Sequence, residues 1–166
     1  MASEARRLAA PSGRGEAGVT YLELIATAAI VMILASAIMP MARVSYKRQR
    51  ELELRRSLRE IRTAIDRYKQ AVDQGAIGGT DVKLGSEGYP PDLETLVKGV
   101  SRVGALDRKL KFLRRVPLDP LTQSNEWGMR CYQDEPDSTS WCGSNVYDVF
   151  TKSEGAALDG TKYRDW

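Results

Sequence analysis

Between Leu24 and Ala42 the chain carries no formal charge, reading L-I-A-T-A-A-I-V-M-I-L-A-S-A-I-M-P-M-A. About twenty such residues cross a bilayer core as a helix. A helix that is apolar on every side also lacks the polar stripe kept by a surface helix of a soluble domain. This segment limits the fold more than any other, because the remainder of the 166 residues offers too little sequence to cover it. It must face lipid or identical neighbours. Glu23 is the one acid at its edge, in G-V-T-Y-L-E-L (Gly18 to Leu24), where moving a carboxylate into lipid costs about 2–3 kcal/mol or more.

The helical pattern continues past the apolar run. Leu54, Leu58, Ile61, Ile65, Tyr68 and Val72 recur at alternating spacings of 4 and 3, one stripe on a helix. Neither Gly nor Pro interrupts from Met41 to Gln74, and G-A-I-G-G (Gly75 to Gly79) then supplies a stop. Read as one helix, Thr20 to Gln74 measures about 80 Å. Its first part is apolar all round and its second part is amphipathic. Pro40 removes a backbone hydrogen bond and crowds the preceding turn, so a kink or local melting is expected there.

The formal net charge of +3 conceals an asymmetry. Arg43 to Lys69 holds ten Lys/Arg against Glu51, Glu53, Glu60 and Asp66, whereas Gln70 to Trp166 holds twelve bases against fifteen acids. A basic run beside a membrane span marks the cytoplasmic side by the positive-inside rule. Its interspersed acids disfavour nucleic-acid phosphates and suit lipid head groups or the acids of neighbouring subunits. Cys131 and Cys142 point to the opposite compartment. They lie eleven positions apart in a polar stretch, and a bond closing such a loop in an oxidising space adds about 3 kcal/mol. Two free thiols in a reducing space are the alternative.

The remaining chain is mixed. Y-P-P-D-L-E-T-L-V-K-G (Tyr89 to Gly99) predicts a short helix with Leu93, Leu96 and Val97 on one face. Leu106, Leu110 and Leu113 predict a further turn or two. Val116 to Thr122 reads as proline-punctuated loop, and Trp127 to Tyr132 and Asn145 to Phe150 as strands joined by the cysteine segment. With no histidine there is no Ser-His or Cys-His pair, and no phosphate-cradling glycine motif occurs. Asp134, Glu135 and Asp137 read as a solvated loop. A binding or structural protein is expected, not an enzyme.

Residues 1–18 form a small, polar leader without an apolar core, and the small-residue pair Ala17-Gly18 precedes the apolar run, unlike a conventional secretory signal. This order, with V-T-Y-L-E-L and a proline-containing apolar span, resembles the processing signal of type IV pilins and type II secretion pseudopilins. D-R-Y-K (Asp66 to Lys69), G-Y-P-P-D-L-E-T-L-V (Gly88 to Val97), R-R-V-P-L-D-P (Arg114 to Pro120) and Y-D-V-F-T-K-S-E-G-A-A-L-D-G (Tyr147 to Gly160) resemble the major, G-type pseudopilin most.

The resemblance implies an α+β fold, a long N-terminal helix packed on a small antiparallel sheet. It divides the chain into a cleaved leader (1–18), a transmembrane and filament-core segment (19–42), an amphipathic helix segment (43–74) and a periplasmic head (75–166). It implies cleavage between Gly18 and Val19 by a prepilin peptidase, and methylation of the new Val19 amine. Glu23 and Val19 then serve assembly, with Pro40 in the core helix. It also implies a calcium ion in the C-terminal loop, with Asp159, Asp165 and the Glu154 carbonyl as ligands. A plain surface loop is the alternative there. The implied partners are copies of itself, minor pseudopilins, an inner-membrane assembly platform with its ATPase, and lipid before assembly, but no nucleic acid. The implied location is the bacterial inner membrane with a periplasmic head, and then the pseudopilus. A surface type IV pilin and a membrane-anchored periplasmic binding module or enzyme stand as alternatives.

Overall fold

A computed structural model describes residues 18–78, 82 and 85–166. The chain divides into two compact units, Met1–Ala42 and Arg43–Trp166. The first unit's described part is helical from Tyr21 onward and belongs to α1 (Tyr21–Asp73). Every described side chain of that unit is exposed, including Leu24, Ile25, Ile30, Val31, Met32 and Ile33. The helix is long and apolar enough to cross a membrane. It runs through Pro40 without a break, so the expected melting does not occur.

In the second unit, α1 supplies the floor of the core. Leu54, Ile61, Ile65 and Tyr68 are fully buried and Leu58 almost so, the stripe expected from their spacing. Against it pack α2 (Leu93–Lys98), β1 (Val100–Arg102), β2 (Ala105–Leu110), β3 (Gly128–Arg130), β4 (Asp148–Phe150) and a 3-10 turn at Tyr163–Asp165. Asp92 caps α2, its Oδ1 accepting the Thr95 amide at 2.7 Å, and Gly99 ends it in the left-handed region at φ 79°. A Cβ at Gly99 would stand 2.7 Å from the Leu110 carbonyl oxygen, so this terminator is required sterically as well.

Two separate two-stranded antiparallel sheets form instead of one small sheet. β1 and β2 pair Val100 with Leu110 and Arg102 with Ala105, and β3 and β4 pair Gly128 with Phe150 and Arg130 with Asp148. The helical turn expected through Leu106 and Leu110 is therefore strand. Gly104, at φ 79°, completes a tight turn between Arg102 and Ala105, and the Val103 amide bonds to the Ala76 carbonyl at 3.0 Å. Leu113 still enters the core, but by way of the Phe112 and Leu113 amides, both bonded to the Leu96 carbonyl at 3.0 Å. The proline-punctuated loop is held by Asp119, wholly buried, which accepts from the Thr151 hydroxyl and from the Leu121 amide.

Gly128 is buried on β3 opposite Phe150, and a Cβ placed there would collide with the Phe150 ring. Gly128→Ala is expected to lower stability by about 1–3 kcal/mol through overpacking, read as an earlier midpoint in urea unfolding followed by tryptophan fluorescence.

Candidate functional site

Three regions hold the residues singled out in the sequence. The first is the start of α1. Gly18 and Val19 precede the helix and are exposed, while residues 1–17, which carry most of the expected leader, lie outside the described residues. Thr20 caps the helix, its Oγ1 accepting the Glu23 amide at 3.3 Å, and its carbonyl accepts the Leu24 amide at 3.0 Å. Glu23 thus stands in the first turn of the helix, exposed. Among the described residues, a Cβ at Gly18 would meet nothing within 4 Å. The T-x-x-E spacing that announces this cap was readable in the sequence.

The second region is the C-terminal loop from Ser153 to Trp166. Asp159 closes a turn on Thr161, its Oδ1 accepting the Thr161 amide at 2.9 Å and hydroxyl at 2.6 Å. Its other oxygen faces the Arg55 guanidinium at 3.8 Å. The Thr161 hydroxyl first, and then the Thr161 amide and Arg55, hold the Asp159 carboxyl below its usual range. Three of the loop carbonyls are engaged within the loop: Gly155 accepts from the Tyr163 amide, Ala157 from Gly160 and Thr161 from Ala157. Calcium takes about six to eight oxygens, several of them carboxylate. Among the described residues, no cluster of three or more metal-ligating side chains includes Asp159 or Asp165. The cation that the structure places beside Asp159 is the Arg55 guanidinium.

Helix α1 anchors this loop directly. The Glu51 carboxylate accepts the Leu158 amide at 2.8 Å and the Tyr163 hydroxyl at 2.9 Å. Burial, then the bond to Glu51, pushes the Tyr163 phenol up to about 12. Arg55 lies over the Trp166 ring, 4.1 Å from its centroid. Glu51 was legible only as one acid in a basic run, because its partners lie 107 and 112 positions away.

The third region is the loop between β3 and β4. Cys131 and Cys142 lie at disulfide-bonding distance, with Cα atoms 5.9 Å apart. They form, with Asp134, a group of potential metal ligands. The sulfurs are taken by each other, however, and Asp134 Oδ2 accepts the Cys131 amide at 2.7 Å. At the root of this loop, Asp148 sits between two arginines: Arg62 Nε of α1 donates to its Oδ1 at 2.6 Å, and Arg130 Nη1 approaches Oδ2 at 3.5 Å. Arg62 also donates to the carbonyls of Val149 and Trp166, at 3.1 and 2.7 Å, and Arg130 Nε to that of Ser138 at 2.9 Å. This clamp, spanning 86 positions, has no local signature in the sequence.

Adding calcium or a chelator is expected to leave the melting midpoint unchanged, whereas a site filled at about a hundredfold over its Kd would add about 2.7 kcal/mol. Glu51→Ala should lower stability by about 1–3 kcal/mol, since it leaves the Leu158 amide and Tyr163 hydroxyl without their acceptor. The raised Tyr163 phenol favours the neutral form in the folded state. Its contribution is complete below the ordinary value of 10.0 and is lost as pH rises towards about 12, so Tyr163→Phe should flatten the fall in stability across that window. Comparison with protein families, with characterised proteins and with solved structures finds no match to this chain.

Proposed function

We propose that this chain is a filament subunit of the pilin and pseudopilin class, of the major type that forms a periplasmic pseudopilus for type II secretion. The observation that carries this reading is the start of α1: a charge-free helical span exposed along its described length, with a lone carboxylate, Glu23, in its first turn. Gly18 adds support. Among the described residues nothing crowds a Cβ at Gly18, so a glycine there is compatible with recognition by a peptidase. A long N-terminal helix accompanied by small antiparallel sheets is the layout such a subunit requires.

In this reading the chain first resides in the inner membrane with its head in the periplasm. A prepilin peptidase hydrolyses the peptide bond between Gly18 and Val19, and the new amine is methylated. An ATPase-driven platform then moves the apolar span from lipid into the core of a helical polymer, one low-dielectric environment exchanged for another. During docking Glu23 meets the Val19 ammonium of an adjacent subunit. Opposite charges at that range in low dielectric attract strongly, and a pair that leaves either charge alone when misplaced selects one register. Growth of the polymer pushes exoproteins outward.

Intact mass of the mature chain should place its N-terminus at Val19 with one added methyl group. A chain beginning at Met1 in cells with active prepilin peptidase overturns the reading. Glu23→Ala should be processed normally yet yield about tenfold less sheared filament, equivalent to ~1.4 kcal/mol per docking step. Deletion should abolish exoprotein release. Loss of twitching with secretion intact would assign the chain to a surface pilus instead.

A further inference from the structure

The arginines of α1 fall into two sets. Arg55 and Arg62 turn towards the head and find Asp159 and Asp148. Arg56, Arg59 and Arg67 are exposed, and among the described residues no carboxylate pairs with them. Arg114 and Arg115, on the segment after β2, are exposed and unpaired in the same way. These five guanidinium groups line two adjoining surface grooves that share Arg56, Arg59 and Glu60, the larger about 970 Å³ and rimmed by exposed Leu52 and Leu118. Glu53 and Glu60 stand among them, which weakens the general pull on an anionic lipid surface and favours a shaped partner carrying its own carboxylates.

The same chain carries a surface of the opposite character. On the loop closed by Cys131 and Cys142, Glu135 and Asp137 are exposed and pair with no base among the described residues. At the loop's base Tyr132, Tyr89 and Tyr147 pack together, ring centroids 5.2 to 5.7 Å apart, and residues Tyr132 and Tyr147 remain 55% and 47% exposed. Solvated tyrosines held rigid in this way are typical anchors of protein contacts. Guanidinium groups bind carboxylates in bidentate fashion and stack on tyrosine faces.

We infer that the disulfide loop of one copy docks into the arginine groove of a second copy. The two patches are different surfaces, so the contact is heterologous and adds subunits in an open series rather than closing a dimer. The cross-link holds the loop in its docking shape and lowers the ordering cost of each addition. The inference rests on the filament reading and supplies a lateral contact between heads, separate from the pairing of Glu23.

Charge reversal with rescue in the full-length chain tests it. Arg56→Glu with Arg59→Glu, and separately Glu135→Arg with Asp137→Arg, should each cut the yield of sheared polymer about tenfold, ~1.4 kcal/mol, with melting midpoints at the wild-type value. Combining all four substitutions should restore the yield. The milder single changes Arg59→Gln and Glu135→Gln, each of which removes one charge without reversing it, should show the same loss at smaller amplitude. Reversals without effect overturn the contact, and so does failure of the four-fold variant to recover; in that second case the groove serves lipid head groups or another protein. A wild-type chain that forms no polymer overturns the filament reading together with this inference, whereas an intact polymer indifferent to the reversals overturns this inference alone.

Discussion

One stripe on one helix carries the second unit. Its four strands are three to six residues long, and they form two two-stranded sheets. Isolated two-stranded pairs are marginal in water at best. α2, the proline-punctuated loop and the C-terminal turn are shorter still than a self-supporting element. All become stable by burying Leu93, Leu96, Leu113, Trp127, Val149 and Tyr163 in one cluster with Leu54 to Tyr68. Around that apolar contact, polar side chains of the same helix fix the remaining segments in place. Glu51 takes the C-terminal loop, Arg62 takes β4, and Lys69 stands 5.8 Å from the centroid of the Tyr89 ring. A single amphipathic helix thus supplies both the core and most of its tethers.

That helix was legible because its signals are local and repeated. Leu54 to Val72 keep the helical period through five steps, and the glycine-rich stretch from Gly75 marks the stop within two residues of Asp73. The same rule failed at Leu106, Leu110 and Leu113, whose spacing also fits a helix. There a glycine able to adopt φ 79° at position 104 folds the chain back on itself, and strand pairing with Val100 to Arg102 takes Leu106 and Leu110 into β2. At Pro40 the missing donor leaves one carbonyl without an intrahelical partner, yet the helix continues through it, so the local melting offered beside a kink does not occur.

The site residues divide along similar lines. Glu23 and the Cys131–Cys142 pair could be named from the sequence because each is conspicuous in its own neighbourhood. The Glu51 latch and the Arg62–Asp148–Arg130 clamp could not, because each joins groups far apart in the chain that only the fold brings together. Asp159 is a residue named through the resemblance whose partner within the fold could not be read from the sequence. The carboxylate is where a ligand was expected, but the cation it meets is Arg55, four positions after Glu51 and so on the neighbouring turn of α1. In this loop the charge beside the Asp159 carboxylate comes from α1.

The cap at Thr20 carries a further consequence. Aligned peptide dipoles give the start of an α-helix a partial positive charge, about half an elementary charge. Cutting the chain after Gly18 would place a full ammonium one residue before Thr20, at the end of the helix least suited to hold it. Glu23 lies in that first turn, so its carboxylate offsets both the helix end and the new terminus within its own chain. On the proposed filament reading, the cut subunit would wait in the membrane as a nearly neutral tip, and its carboxylate would exchange one amine for another on docking without having stood alone in lipid.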